Sequence, residues 1–163
     1  MRLSLTLLCF LLLAPAAFAA SRANGDGVFE LKDVNAQRTV IAGTRGAIWG
    51  QIDKGTLRVT DMNLDDSLAP QVSGADWTQS TLDPSVKVYS GKNIHFRFSG
   101  AKYRFTIIGS GIDVTAVGVG QVKLTGDPDA FDTGDYSIDD GKWTSVPLLL
   151  KTVTFGVQPV AGP

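Results

Sequence analysis

Between Tyr89 and Gly126 apolar and polar side chains alternate almost without a break, and glycines supply the punctuation. Ile94, Phe96 and Phe98 alternate with Asn93, His95 and Arg97. Beyond Gly100-Ala101, Tyr103, Phe105 and Ile107 alternate with Arg104 and Thr106. A period of two sends successive side chains to opposite faces of a strand, so this stretch predicts antiparallel strands with one apolar face. Gly100-Ala101 suits a type II′ hairpin turn. That register sets Phe98 opposite Tyr103, Phe96 opposite Phe105 and Ile94 opposite Ile107. On the outer face it sets His95 opposite Thr106 and Arg97 opposite Arg104. Like charges across a ladder repel, so the two guanidiniums need an acid, for which Asp113 is the candidate, or an anion. Gly109-Ser110-Gly111 and Gly118-Val119-Gly120 read as further turns or bulges.

The acidic residues extend the β reading to the whole chain. Fifteen are aspartate and only Glu30 is glutamate. Aspartate favours turns and caps, whereas glutamate is the usual surface residue of helices. With 18 glycines and many β-branched residues, the balance points to strands joined by tight turns. The expectation is an all-β, antiparallel sandwich or jelly-roll-like fold of about ten to twelve short strands. A partly closed β-barrel is the alternative.

Elsewhere the pattern is less regular. Phe29 and Leu31 alternate with Glu30 and Lys32, and Asn35-Ala36 reads as a turn into Arg38–Ala42. Lys54-Gly55 reads as a hairpin turn that sets Gln51 beside Arg58 and Trp49 beside Thr60. Residues 61–86 form a long excursion with a short strand near Gln71–Ser73 and a helical turn around Asp76–Thr81. Within it Trp77 serves as an anchor or as a ligand platform. Gly126–Gly134 reads as an acidic loop, and Asp139-Asp140-Gly141 as a hairpin turn between Tyr136–Ile138 and Lys142–Thr144. The run Val146-Pro-Leu-Leu-Leu, with Thr152–Gly156, reads as the last buried strand.

Residues 1–19 read as a signal peptide, with Arg2 as the positive end, Leu5–Leu13 as the apolar core and Ala17-Phe18-Ala19 before the cut. Residues 20–27 follow as a flexible lead-in, 28–157 as a single β domain and 158–163 as a tail. Cys9, the one cysteine, lies in the leader, so the mature chain is read as disulfide-free in a secreted or extracytoplasmic setting. Without the leader's arginine the balance is 14 basic to 16 acidic residues, which argues against nucleic acid as a partner. No mature segment reads as a transmembrane anchor or as a basic amphipathic membrane binder.

WGQIDKG (Trp49–Gly55), the run Tyr89–Gly126 with its FRFSGAKYRF and GSGIDVTAVGVG segments, and GDYSIDDGKW (Gly134–Trp143) carry a likeness. In them the chain resembles a group of small exported bacterial proteins, mostly actinobacterial, to which no activity is attached. The resemblance implies export and a β fold, and no chemistry.

Side-chain chemistry narrows the functions. One histidine and no mature cysteine cannot build a four-ligand N/S zinc site. Calcium takes oxygen ligands, and Asp127, Asp129, Asp132 and Asp135 could supply them from one loop, although the spacing is not that of an EF-hand. The other reading is a solvated acidic turn, with no cofactor. A Ser-His-Asp arrangement would have to use His95, and there is no GxSxG elbow. A binding site for a carboxylate or phosphate would draw on His95, Arg97, Arg104 and Arg58, with Trp77 beside them. The expected role is a non-catalytic binding or structural module at the envelope or outside the cell, its partner an anionic or carbohydrate envelope polymer. The alternative is a hydrolase of envelope carbohydrate working through two aspartates.

Overall fold

The structure, a computed structural model, describes residues 22–64 and 68–157. The leader, the C-terminal tail, Asp65 and Asp66 lie outside the described residues. Those described form an all-β, antiparallel structure of six strands: β1 (Gly27–Asp61), β2 (Gln71–Ser80), β3 (Val86–Gly126), β4 (Asp135–Ile138), β5 (Thr144–Ser145) and β6 (Lys151–Phe155). They run in the order β2-β3-β1-β4-β5, with β6 on β3, and the sheet does not close on itself.

The strands are fewer than the ten to twelve expected because β1 and β3 are 35 and 41 residues long. Asn35-Ala36, Lys54-Gly55, Gly100-Ala101, Gly109–Gly111 and Gly118–Gly120 are not turns between strands. Each is paired inside a continuous strand. Gln51 pairs with His95 and Asp113 rather than Arg58, and Trp49 with Arg97 and Thr115 rather than Thr60.

How such long strands stay compact follows from their double pairing. Ile48 lies between Phe98 and Ala116, and Phe105 lies between Ile41 and Val59. Eighteen extended residues, as from Ile41 to Val59, would span roughly 60 Å. Strands on the two sides of a third are only about 10 Å apart. β1 therefore winds round and returns parallel to itself with one β3 segment between its passes. By the same pairing β3 winds round β1.

Glycines make the corners. Gly91, Gly100, Gly109 and Gly118 recur every nine residues in β3, and Gly46 and Gly55 are nine apart in β1. Gly46 pairs with both Gly100 and Gly118, and Gly55 with both Gly91 and Gly109, which gives two rows of three glycines. Gly46 and Gly118 have φ of 128° and 138°, outside the range comfortable for a side chain. A methyl group on either would run into the facing backbone carbonyl, that of Val117 or Arg45. Nine is odd, so on a flat strand residues nine apart point to opposite faces. Across a corner both point inward: Ile94, Phe96 and Phe98 are buried, and so are Tyr103, Phe105 and Ile107, then Ile112, Val114 and Ala116.

The core therefore forms between successive passes of the coil. Phe96 and Phe105 pack at 5.4 Å between ring centroids, Phe98 and Tyr103 at 5.4 Å edge to face. These are the contacts the hairpin register predicted, yet no ladder joins them: Phe98 pairs with Ile48 and Tyr103 with Gly43. Phe29 joins Tyr136 and Phe155 at 6.4 and 6.1 Å, which ties β1 to β4 and β6.

Two peripheral segments also differ from expectation. Residues 76–80 continue β2, an edge strand on β3, instead of forming a helical turn. Of the run Val146–Leu150 only Val146 is buried. Leu148, Leu149 and Leu150 are exposed, and the final strand begins after them at Lys151. Gly126 N–H donates to the Pro147 carbonyl at 2.9 Å and Val146 N–H to the Gly134 carbonyl at 2.9 Å. These bonds anchor Val146 and Pro147, and the leucines that follow face outward.

Candidate functional site: a cationic face

The coil separates the residues that the hairpin register had placed in one row. His95 lies between Gln51 and Ser73, and Arg97 between Trp49 and Gln71. Arg104 lies between Ala42 and Thr60, one nine-residue step further on. Arg97 and Arg104 are not ladder partners because the chain turns a corner at Gly100 between them. Trp77, about half exposed, stands on the edge strand opposite Ser90.

Asp113 is not the acid that neutralises these arginines. Its Oδ2 accepts from Gln51 Nε2 at 2.9 Å and its Oδ1 from the Asp33 backbone N–H at 2.8 Å. Asp33 has a positive φ of 48°, so the carboxylate holds an irregular point of β1. Around it Trp49, Gln51, His95 and Thr115 line a wide, shallow depression of about 410 Å³. Gln51 stands between His95 and Asp113 in the ladder, so the histidine has no carboxylate as a direct ladder neighbour.

A second face gathers charge more closely. Val40 pairs with both Thr106 and Lys123, and Ala42 with both Arg104 and Gln121. Residues two apart on one strand share a face, so Arg38, Val40 and Ala42 align outward, and Arg104 and Lys123 stand on the strands to either side. Arg38, Arg104, Lys123, Gln121 and Leu150 line a depression of about 430 Å³ with Val40 and Ala42 as its floor. Among the described residues no acidic side chain lines it. Among the described residues, the ion pairs are Arg22 with Asp140 and Arg45 with Asp26, both at 2.9 Å and both elsewhere. Arg58 pairs with Thr106, next to Arg104's own partner Thr60. Its charge helps hold the Asp83 carboxyl below its ordinary value, after the larger effect of hydrogen bonds from Ser85.

Of the five residues expected to form a basic site, then, Arg58 and Arg104 share a face, while His95 and Arg97 share another and Trp77 sits at an edge. Arg38 and Lys123 were missed. Their outward alternation with Thr39 and Ile41, and with Val122 and Leu124, was legible in the sequence. Their meeting with Arg104 depends on the winding.

Three of the four candidate calcium ligands, Asp127, Asp132 and Asp135, accept hydrogen bonds through their carboxylates. Asp127 Oδ1 accepts from Asp129 N–H at 3.0 Å, Asp132 Oδ1 from Gly134 N–H at 2.9 Å, and Asp135 Oδ1 from the Ser145 hydroxyl at 3.1 Å. Asp129 supplies that backbone donor at its own N–H. Among the described residues no three histidine, cysteine or carboxylate side chains gather as a group that could hold a metal ion. Among the described residues, the depressions over Arg104, Asp61 and Asp113 are each lined by at most one carboxylate. Among the described residues no helix is long and apolar enough to cross a membrane.

No protein-family model matches the chain. No curated protein and no solved structure matches it either.

Proposed function

We propose that the protein is an exported, non-catalytic β module that binds anionic groups at the cell envelope through Arg38, Arg104 and Lys123. The winding of β1 and β3 makes, in this reading, a two-layered, jelly-roll-like sandwich whose outer surface displays these cations. The observation that carries the proposal is the depression of about 430 Å³ lined by three cations and, among the described residues, by no acid. Guanidinium groups bind carboxylate or phosphate oxygens through paired N–H donors. A lysine ammonium adds a point charge to the same anion. The leader-like residues 1–19 support export, and the chemistry suits carboxylate- or phosphate-bearing envelope polymers.

Retention on immobilised polygalacturonate and polyphosphate tests the proposal. The parent should be retained at low salt and released as ionic strength rises, because exposed charges are screened. The triple variant Arg38→Gln, Arg104→Gln, Lys123→Gln should pass through unretained with its melting temperature intact. Equal retention of parent and triple variant would remove the cationic depression from consideration.

A further inference from the structure

The loop that should have been the last buried strand gives the cationic face a second property. Leu148, Leu149 and Leu150 are 55%, 83% and 68% exposed, and Leu150 itself lines the depression with Arg38, Arg104 and Lys123. The leucines are not part of an unfinished core. Val146 beside them is buried, its carbonyl accepts the Thr133 hydroxyl at 2.7 Å, and Pro147 accepts from Gly126. On the other side Lys151 enters β6 and its ladder with Leu124. The neighbouring loop, joined to this one through Gly126, Thr133 and Gly134, exposes Phe131 fully.

We infer that this face docks on an anionic lipid bilayer, with Leu148–Leu150 entering the headgroup–acyl boundary and Arg38, Arg104 and Lys123 meeting lipid phosphates. The inference rests on the anion-binding reading above and names the source of the anion. A soluble polyanion satisfies the cations but offers the leucines nothing. A bilayer presents anionic oxygens and an apolar layer within a few ångströms of each other, which matches cations and leucines lining one depression. Contiguous apolar exposure beside a basic patch is the combination used by surface-bound proteins that do not cross the membrane. The sequence concealed it because the cations come from β1 and two passes of β3, and the leucines from a loop after β5.

Co-sedimentation of the exported chain with phosphatidylcholine vesicles, with and without phosphatidylglycerol, provides the test. The parent should sediment with the anionic vesicles and stay in solution with the neutral ones. Replacing Leu148 and Leu149, which do not line the depression, by serine should weaken vesicle binding about tenfold or more while leaving retention on polyphosphate unchanged. Each cation replaced by glutamine should weaken vesicle binding about fivefold. If the serine double lowers the melting temperature, Leu149→Ser alone, at the more exposed of the two, carries the same comparison. Vesicle binding unchanged by either leucine variant, or equal on neutral and anionic lipid, would overturn the docking proposal. So would a parent that binds polyphosphate but no vesicle, and that result would leave the anion-binding reading standing. A parent that binds neither would remove both.

Discussion

Phe96 and Phe105 lie nine residues apart in one continuous strand, and their rings pack across the interior at 5.4 Å between centroids, tilted by 33°. Phe96 has Gly50 and Val72 as its ladder partners, and Phe105 has Ile41 and Val59. The contact is made by the winding of the strand, not by the hydrogen bonds of a hairpin. It joins two passes of the coil and is tied to the glycine corner at position 100 that brings them together.

A double-mutant cycle on Phe96→Leu and Phe105→Leu measures that link. The two substitutions should be non-additive by about 0.5–1.5 kcal/mol, the usual worth of a ring pair beyond its area. Additivity in urea denaturation would show that the passes are held by bulk alone.

The glycine rows predict a sharp contrast among alanine substitutions. At Gly55 a methyl would strike the Ile108 carbonyl oxygen, and backbone there cannot withdraw without breaking the ladder. Gly55→Ala should cost about 3 kcal/mol or more. At Gly25 the nearest atoms, on Arg45 and Val157, are 3.7 Å from the added carbon, and only its φ of 86° is unfavourable. Gly25→Ala should cost about 1 kcal/mol, as read from denaturation midpoints.

Tyr103 gives a pH-dependent test. Its hydroxyl is buried without a hydrogen-bond partner, and burial pushes the phenol above its ordinary value of 10. The unfolded chain loses that proton near pH 10 while the folded chain keeps it. Stability should therefore fall as pH rises beyond about 10. Tyr103→Phe should be neutral or slightly stabilising at pH 7, because it removes an unsatisfied hydroxyl. It should also shallow the alkaline decline in melting temperature. A clear loss of stability at pH 7 would mean that the hydroxyl has a partner.

Asp113 should matter for stability rather than for binding. Asp113→Ala removes the acceptor of the Gln51 side chain and of the Asp33 backbone N–H. A cost of about 1–3 kcal/mol is expected, with retention on polyphosphate unchanged. Weaker retention would place Asp113 in the binding apparatus.

How far the sequence could be read is clearest from these same residues. The alternation of Ile94, Phe96 and Phe98, and of Tyr103, Phe105 and Ile107, identified the buried faces, because burial follows local period. The hairpin that explained it was wrong, since a glycine between two alternating runs marks a corner as readily as a turn. The site was less legible. Arg58 and Arg104 were recognised as outward-facing, but Arg38 and Lys123 reach them only through pairings across dozens of residues. Leu148–Leu150 were misread for the opposite reason. An apolar run looks like core from composition, and only the exposure of Leu148, Leu149 and Leu150 in the fold shows which way its side chains turn.

The two glycine rows have a consequence for how such a chain can change length. Adding or deleting a single residue in β1 would move one corner out of line with the corners on either side and invert every side chain beyond it. A change of nine residues restores the inward face but ends the strand on the other side of the coil. Eighteen residues, with a matching gain in β3, make a whole turn and disturb nothing else. The protein can grow or shrink in this part only by complete turns, much as a screw of fixed pitch can be lengthened only along its thread.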